Sequence, residues 1–350
     1  MPLTSTAELE TLAPWLTACQ QHMRTTVALL GERAPLLQEM AAYHLGWSDE
    51  HAQDTRNRGK LMRPAVALAS AWAVGGEAVL PAAVPLGAAI ELLHNFTLVH
   101  DDIQDRSQTR RFRPTVWATW GEAQAINAGD ALYAAAHLAL LDVEYAGVPA
   151  ETVLALVRGF DATTIEIVSG QVLDLQFETN TAVEAEHYIE MITGKTARIV
   201  EFAAGAGAWV AGADADVASH LAAFGLALGV GFQIHDDALG VFGDERETGK
   251  PAGDDIRRKK QSLPVLLLRE RGSAEDRELI ETAYASPEIS GSMVGQIVDR
   301  MRHYEIDSEL SQRVQHYHEA AVTELVATGL GAQRTSLLGA LLRRLENRVV

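Results

Sequence analysis

Residues 91–105 read Glu-Leu-Leu-His-Asn-Phe-Thr-Leu-Val-His-Asp-Asp-Ile-Gln-Asp, an apolar run that stops at three aspartates. At 100° per residue, Asp101 and Asp105 lie about 40° apart on one helical face, and His94 about 20° from Asp101 on the same stripe. Like charges one turn apart repel and weaken an isolated helix. A chain that keeps them there has a cation to place between them. Oxygen donors alone suit a hard ion such as Mg²⁺, held by one or two carboxylates together with substrate phosphates. Taken alone, an Asp-Asp-x-x-Asp run is as readily a solvated helix end.

A second apolar run ends the same way. Residues 232–244 read Phe-Gln-Ile-His-Asp-Asp-Ala-Leu-Gly-Val-Phe-Gly-Asp. Two such ends are far harder to explain as solvated faces than one. Facing each other across a cavity, they could clamp several cations around one diphosphate.

Outward from these two runs the chain reads as helix. Ala and Leu dominate an apolar fraction of 47%, a bias that suits helices over strands. Helical spacing predicts an amphipathic leader over about 1–30, then helices near 64–75, 81–105, 122–143, 150–178, 183–211 and 215–241. Residues 127–141 are apolar nearly all round, which predicts a central helix. Residues 243–262 are polar, glycine-bearing and densely charged and predict a mobile loop. Helices resume at Leu263 and continue, with a turn near 284–292. No segment alternates with period two. The expectation is all-α: one domain over 1–350 with about ten or more helices, inner ones wrapped by outer ones around a cavity.

The net charge of −18 argues against nucleic-acid binding. It also means that an anionic substrate needs metal ions or basic islands. Such islands flank the acids: Lys60 and Arg63, Arg110 and Arg111, Lys195 beside Thr196, Lys250, and the run Arg257 to Lys260. Arg offers a bidentate fork to phosphate and Lys a mobile point charge. Most charge runs are solvated, and 257–260 is read mainly so, with Lys260 counted among the diphosphate-binding residues. A single cysteine, Cys19, forms no internal disulfide. Neither a signal peptide nor a membrane-spanning run is apparent, which predicts a cytoplasmic protein.

In combination these segments resemble the trans-isoprenyl diphosphate synthases, or polyprenyl synthetases. The likeness runs from about Arg58 to Pro264. It is carried by GKLMRP at 59–64, ELLHNFTLVHDDIQD at 91–105, RRFRPTVW at 110–117, GQVLDLQFE at 170–178, TGKTA at 193–197, FQIHDDALGVFGD at 232–244 and GKPAGDD at 249–255. The resemblance implies a helical isoprenoid-synthase bundle that joins isopentenyl diphosphate to allylic diphosphates of C5 to C15, usually as a homodimer. It assigns Asp101, Asp102 and Asp105 to two Mg²⁺ ions, and Asp236, with Asp237 close by, to a third. Arg110, Lys195 and Lys250 bind the allylic diphosphate. Lys60, Arg63, His94 and Arg111 bind the isopentenyl diphosphate. Thr196 and Gln233 turn polar oxygens toward the developing cation.

The chain departs from the common pattern at four places: Arg58 for Gly, Leu61 for Arg, Phe112 for Gly, and Gly240 for the third aspartate of the second motif. This last change is expected to weaken the second metal site slightly. Phe96 lies about 7.5 Å, and Thr97 about 6 Å, below Asp101 along the helix. By resemblance, an aromatic at the fifth position before the motif closes the floor of the product cavity and implies a C20 product, geranylgeranyl diphosphate. The alternatives are C15 farnesyl diphosphate, a class I terpene cyclase, or a non-catalytic subunit of a heterodimeric synthase.

Overall fold

The computed structural model describes residues 9–47, 61–179, 183–243 and 252–346. The described residues are helical but for one hairpin of two-residue strands, β1 (Thr109–Arg110) and β2 (Arg113–Pro114), paired antiparallel. The chain divides into two compact units, residues 1–161, 202–221 and 328–338 in the first and 162–201, 222–327 and 339–350 in the second.

The first unit holds α1 (Ala13–Gly31), α2 (Pro35–His44), α3 (Met62–Gly75), α4 (Leu80–Gln104), α5 (Val116–Trp120) and α6 (Glu122–Leu141). Helix α4 is its spine. Leu86, Ile90, Leu92 and Leu93 are fully buried, and each contributes about 1.5–3 kcal/mol of transfer free energy. Helices α1, α3 and α6 pack around it. The all-round burial expected of α6 is not found. It buries Ala128, Leu132, Ala135 and Ala139 but leaves Ile126, Leu138 and Leu141 exposed by nearly half. Among the described residues, the apolar side chains on that face are only partly covered, which periodicity alone cannot reveal.

Helices α7 (Ala150–Thr179), α9 (Arg198–Val210) and α10 (Ala215–Phe242) contribute residues to both units. The second unit adds α8 (Ala185–Ile192), α11 (Asp254–Arg257), α12 (Leu263–Arg271), α13 (Ala274–Ala285), α14 (Gly291–His303) and α15 (Ile306–Ala327). A last helix, α16 (Ser336–Glu346), begins in the first unit and passes into the second. The core of the second unit gathers Ile234 and Val241 of α10 with Val265, Leu266 and Leu268 of α12 and Ile297 and Met301 of α14.

Two expectations change here. The helix expected over 183–211 is interrupted by a π turn at Thr193–Ala197. Within the stretch expected to be a mobile loop, residues 254–257 form a helical turn with Asp255 and Ile256 buried. The remaining residues from 244 to 251 lie outside the described ones.

Helix α4 and residues 215–242 of α10 are long and apolar enough to cross a membrane by length and composition. Their most apolar windows are 67% and 56% buried within the protein, as core helices are.

Candidate active site

In the first unit, α4 delivers its aspartates at a C-terminal end, where the helix dipole is already negative. Part of the compensating charge is internal. Asp102 is buried, and both its oxygens accept hydrogen bonds from Arg110 Nε at 2.9 Å. Burial pushes the Asp102 carboxyl up to about 6, against the pull of Arg110. Asp105 is exposed and Asp101 half-buried. The three acids therefore differ: Asp102 is directed into the protein and fixes Arg110. Replacing Asp102 with Asn removes the charge but not the shape. A charge-assisted bond is worth about 1.5–3 kcal/mol, so kcat/KM with the allylic substrate is expected to fall by about 10- to 150-fold, with KM carrying most of the loss. Steady-state kinetics at saturating isopentenyl diphosphate measures this.

The hairpin after α4 turns through Arg111 and Phe112, both at positive φ (51° and 64°). This explains why glycine is usual at position 112: a left-handed turn there costs an L-residue about 1–2 kcal/mol. The Phe112 ring is 94% exposed and recovers nothing by packing. The turn aims Arg111 inward, to the buried Glu91 of α4. Arg63, from the first turn of α3, faces the same carboxylate. Burial pushes the Glu91 carboxyl up while Arg63, Arg111 and a hydrogen bond from Asn95 pull it down.

Four arginines, Arg63, Arg110, Arg111 and Arg113 of β2, crowd one region, answered by Glu91 and Asp102. Its positive potential shows in the histidines. Burial, then Arg63, Arg111 and Arg110, push the His94 imidazole well below its ordinary range. His44, at the end of α2, is pushed down to about 3 by burial together with Arg110, Arg111 and Arg113. Both imidazoles are neutral at physiological pH. The Nε of Arg63 is buried and has no hydrogen-bond partner among the described residues. A buried cationic donor left in this state costs free energy that an anion bound alongside would return. A small cavity in the same unit is lined by Tyr43, His44, Asp102, Arg110, Arg111 and Arg113.

In the second unit, Gly170 of α7 and Gly194 touch. A Cβ on Gly170 would lie 2.3 Å from the backbone nitrogen of Lys195, so no larger residue fits. This close approach coincides with the π turn, and such turns recur at functional sites. It presents Lys195 and Thr196 side by side. Lys195 Nζ lies 2.5 Å from Asp174 Oδ2. Thr196 Oγ1 donates to Gln233 Oε1 (3.2 Å), and Gln233 Nε2 donates to Asp237 Oδ1 (3.2 Å).

Asp237 is fully buried, unlike the exposed Asp236. It also accepts from the Tyr188 hydroxyl (2.5 Å) and from Lys260 Nζ (3.3 Å), and Lys260 reaches Asp255 Oδ2 at 3.4 Å. Burial works against the Lys260 charge, but Asp237, Asp255 and Asp236 outweigh it and raise its pKa. Burial, Asp237 and the bond to it hold the Tyr188 phenol well above its ordinary range. Lys260 keeps 43% of its side chain exposed yet pairs with two carboxylates of this network, whereas Arg258 of the same run is 70% exposed and pairs with Asp254 of its own helical turn.

The structure brings Arg63 and Arg111 within electrostatic reach of both Glu91 and His94, and pairs Asp102 with Arg110. It links Thr196, Gln233, Asp237 and Lys260 in one hydrogen-bonded network and pairs Lys195, next to Thr196, with Asp174. Lys60, Lys250 and Asp244 lie outside the described residues. Sequence reasoning gave no role to Glu91, His44, Asp174, Tyr188 or Asp255. Glu91, Asp174 and Asp255 stand inside the quoted motifs, but nothing in spacing tells a buried counter-charge from a surface acid.

Comparison with known proteins identifies the family and the fold. Residues 47–301 match the family model described as Polyprenyl synthetase. The chain is 39% identical over 268 residues to a (2E,6E)-farnesyl diphosphate synthase of Mycobacterium tuberculosis, covering 76% of this chain and 73% of that one. It is equally identical, over 269 residues, to a geranylgeranyl diphosphate synthase of the same organism, covering 76% and 75%. Among solved structures, a polyprenyl synthetase from Streptomyces coelicolor superimposes with a TM-score of 0.87 at 31% identity, covering 99% of this chain and all of that one. A geranylgeranyl pyrophosphate synthetase from Pyrococcus horikoshii gives 0.86 at 29%, covering 97% and 98%.

Proposed function

The chain belongs to the polyprenyl synthetase family, whose members condense isopentenyl diphosphate with allylic diphosphates, and we propose that it carries this trans-prenyl transfer to a C20 product. The single observation that carries the prenyl-transfer reading is the second anion site. A terpene cyclase ionises an allylic diphosphate and has no use for Arg63 and Arg111 set within electrostatic reach of both Glu91 and His94. The retention of Asp101, Asp102 and Asp105 speaks against a non-catalytic subunit.

The donor set fits Mg²⁺, with three ions per site. Only hard carboxylate oxygens are offered. Among the described residues no three His, Cys, Asp or Glu side chains converge on one point. That suits an ion taking one or two carboxylates and completing its shell with phosphate and water. Asp101 and Asp105 would hold two ions and Asp236 the third. When bound, these ions neutralise the charge that builds on the departing diphosphate.

The remaining steps fall to the chain's own residues. Arg110, Lys195 and Lys250 bind the allylic diphosphate, and Lys60, Arg63, His94 and Arg111 bind that of isopentenyl diphosphate. Thr196 and Gln233 turn oxygens toward the allylic carbon as its C–O bond breaks. The π electrons of isopentenyl diphosphate form the new C–C bond, and a proton then leaves to restore an alkene. The released diphosphate is the base that takes this proton. The chain is one catalytic domain, cytoplasmic and homodimeric, and the exposed Ile126, Leu138, Leu141 and Leu154 support self-association.

The C20 length rests on Phe96. Its ring centroid lies 5.0 Å from that of Tyr133. The Tyr133 hydroxyl donates to Asp161 (3.1 Å), whose carboxylate also meets His137 Nε2 at 2.8 Å. Phe96 thus stands on a braced ring and serves as a firm floor. Wild-type protein given isopentenyl diphosphate and C5, C10 or C15 starters in turn is expected to stop at C20 by mass spectrometry. Phe96→Ala is expected to shift the major product to C25 or longer. An unchanged length in that variant removes Phe96 from the account, and a wild-type product of C15 assigns the chain to the farnesyl diphosphate synthases.

A further inference from the structure

Gly240 stands where the third aspartate of the second acidic motif is expected. A Cβ built on Gly240 would lie 2.4 Å from Oδ2, 2.6 Å from Cγ and 3.0 Å from Oδ1 of Asp255. The Asp255 carboxylate therefore fills the volume that a side chain at 240 would enter. It is also fixed there. Asp255 is buried, it lies in the first turn of the short helix α11, and its carbonyl accepts from Lys260 N at 2.9 Å. Its Oδ2 lies 3.4 Å from Lys260 Nζ, the cation that also meets Asp237. The missing side chain on α10 and the braced carboxylate on α11 are separate features of the sequence that meet at one point in space.

We propose that Asp255 supplies the carboxylate lacking at position 240, and that glycine is kept there to admit it. The second acidic cluster then retains three carboxylates, Asp236, Asp237 and Asp255, against one lysine. On this account the departure at Gly240 is compensated from α11, and the slight weakening expected from the sequence does not occur. Asp255 is a positioning residue: it shares Lys260 with Asp237 and so sets how strongly Asp237 and Asp236 attract a divalent cation. The proposal rests on the prenyl-transfer reading for its cation, and its test separates the two.

Three variants test it: Asp255→Asn, Gly240→Asp, and the double variant Gly240→Asp with Asp255→Ala. Two quantities are read. One is the Mg²⁺ concentration for half-maximal turnover. The other, independent of turnover, is the rise in unfolding temperature that Mg²⁺ with inorganic diphosphate produces. Outer partners of metal ligands typically change metal affinity by about 10- to 100-fold. Asp255→Asn is expected to raise the Mg²⁺ requirement at least about tenfold and to shrink the thermal rise, leaving the KM for isopentenyl diphosphate unchanged. Gly240→Asp, which forces two carboxylates into one volume, is expected to lower stability and share the Mg²⁺ defect. The double variant, which moves the carboxylate from 255 to 240, is expected to regain most of the wild-type Mg²⁺ response. A wild-type requirement and thermal rise in Asp255→Asn overturn the proposal, as does a double variant no better than Asp255→Asn. If no variant or wild type condenses the substrates, the thermal measurement still decides the role of Asp255, while the function reading fails separately.

Discussion

Replacing Asp101 and Asp105 together with alanine is expected to lower kcat by about 10³- to 10⁴-fold while leaving stability almost unchanged. The rate loss follows from the charge that develops on the leaving diphosphate. Removing one preorganised electrostatic partner of such charge costs about 2.7–4 kcal/mol, and each 1.36 kcal/mol is a factor of ten. Two carboxylates serving the same ions are not additive, which places the pair near the upper end of one loss and below the sum of two. The small stability effect follows from position. Asp105 is exposed and Asp101 half-buried, and both sit at the negative end of α4, where carboxylates repel each other and the dipole. The unfolding free energy measured in urea is expected to change by less than about 0.5 kcal/mol in either direction. A large drop in stability with little loss of rate would make these residues structural.

Glu91→Ala is expected to do the reverse. Its carboxylate is the buried counter-charge of Arg63 and Arg111, and the Asn95 side chain donates to it and to its backbone carbonyl. Removing one partner of a buried ion cluster leaves uncompensated charge and costs about 3–5 kcal/mol. Urea unfolding measures the loss. Because the cost lies in unanswered positive charge, inorganic diphosphate is expected to restore part of it. Glu91→Gln, which keeps the volume, is expected to lie between wild type and Glu91→Ala. A stability within 1 kcal/mol of wild type for Glu91→Ala would show that the two arginines are solvated or paired elsewhere.

These two results also separate what the sequence makes legible from what it conceals. The acids at 101–105 and 236–237 can be read because they interrupt long apolar helices, and the periodicity of α4 and α10 places them at helix ends. The arginine pair at 110–111 can be read by its proximity to the first cluster. Its division of labour cannot: for Arg110 a single Nε–H shared between both oxygens of Asp102, and for Arg111 a left-handed turn and an electrostatic partner in Glu91. Such pairings join residues distant in sequence and leave no periodic trace. The same holds for Asp255 against Gly240, and for Lys260, which in sequence looks like one more charge in a solvated run. The π turn at 193–197 is hidden for another reason. Its composition is that of an ordinary helix segment, and it coincides with a contact between Gly170 and the backbone of Lys195. The half-exposed face of α6 marks the converse limit, since apolar character all round does not say which side the chain itself covers.

The most direct test supplies purified protein and Mg²⁺ with farnesyl diphosphate, with isopentenyl diphosphate, and with both, following diphosphate release and product mass. The account predicts no turnover with either substrate alone. With both, it predicts one diphosphate released for each C20 prenyl diphosphate formed. A cyclic hydrocarbon from farnesyl diphosphate alone, or no diphosphate release from the pair and from shorter starters, would contradict it.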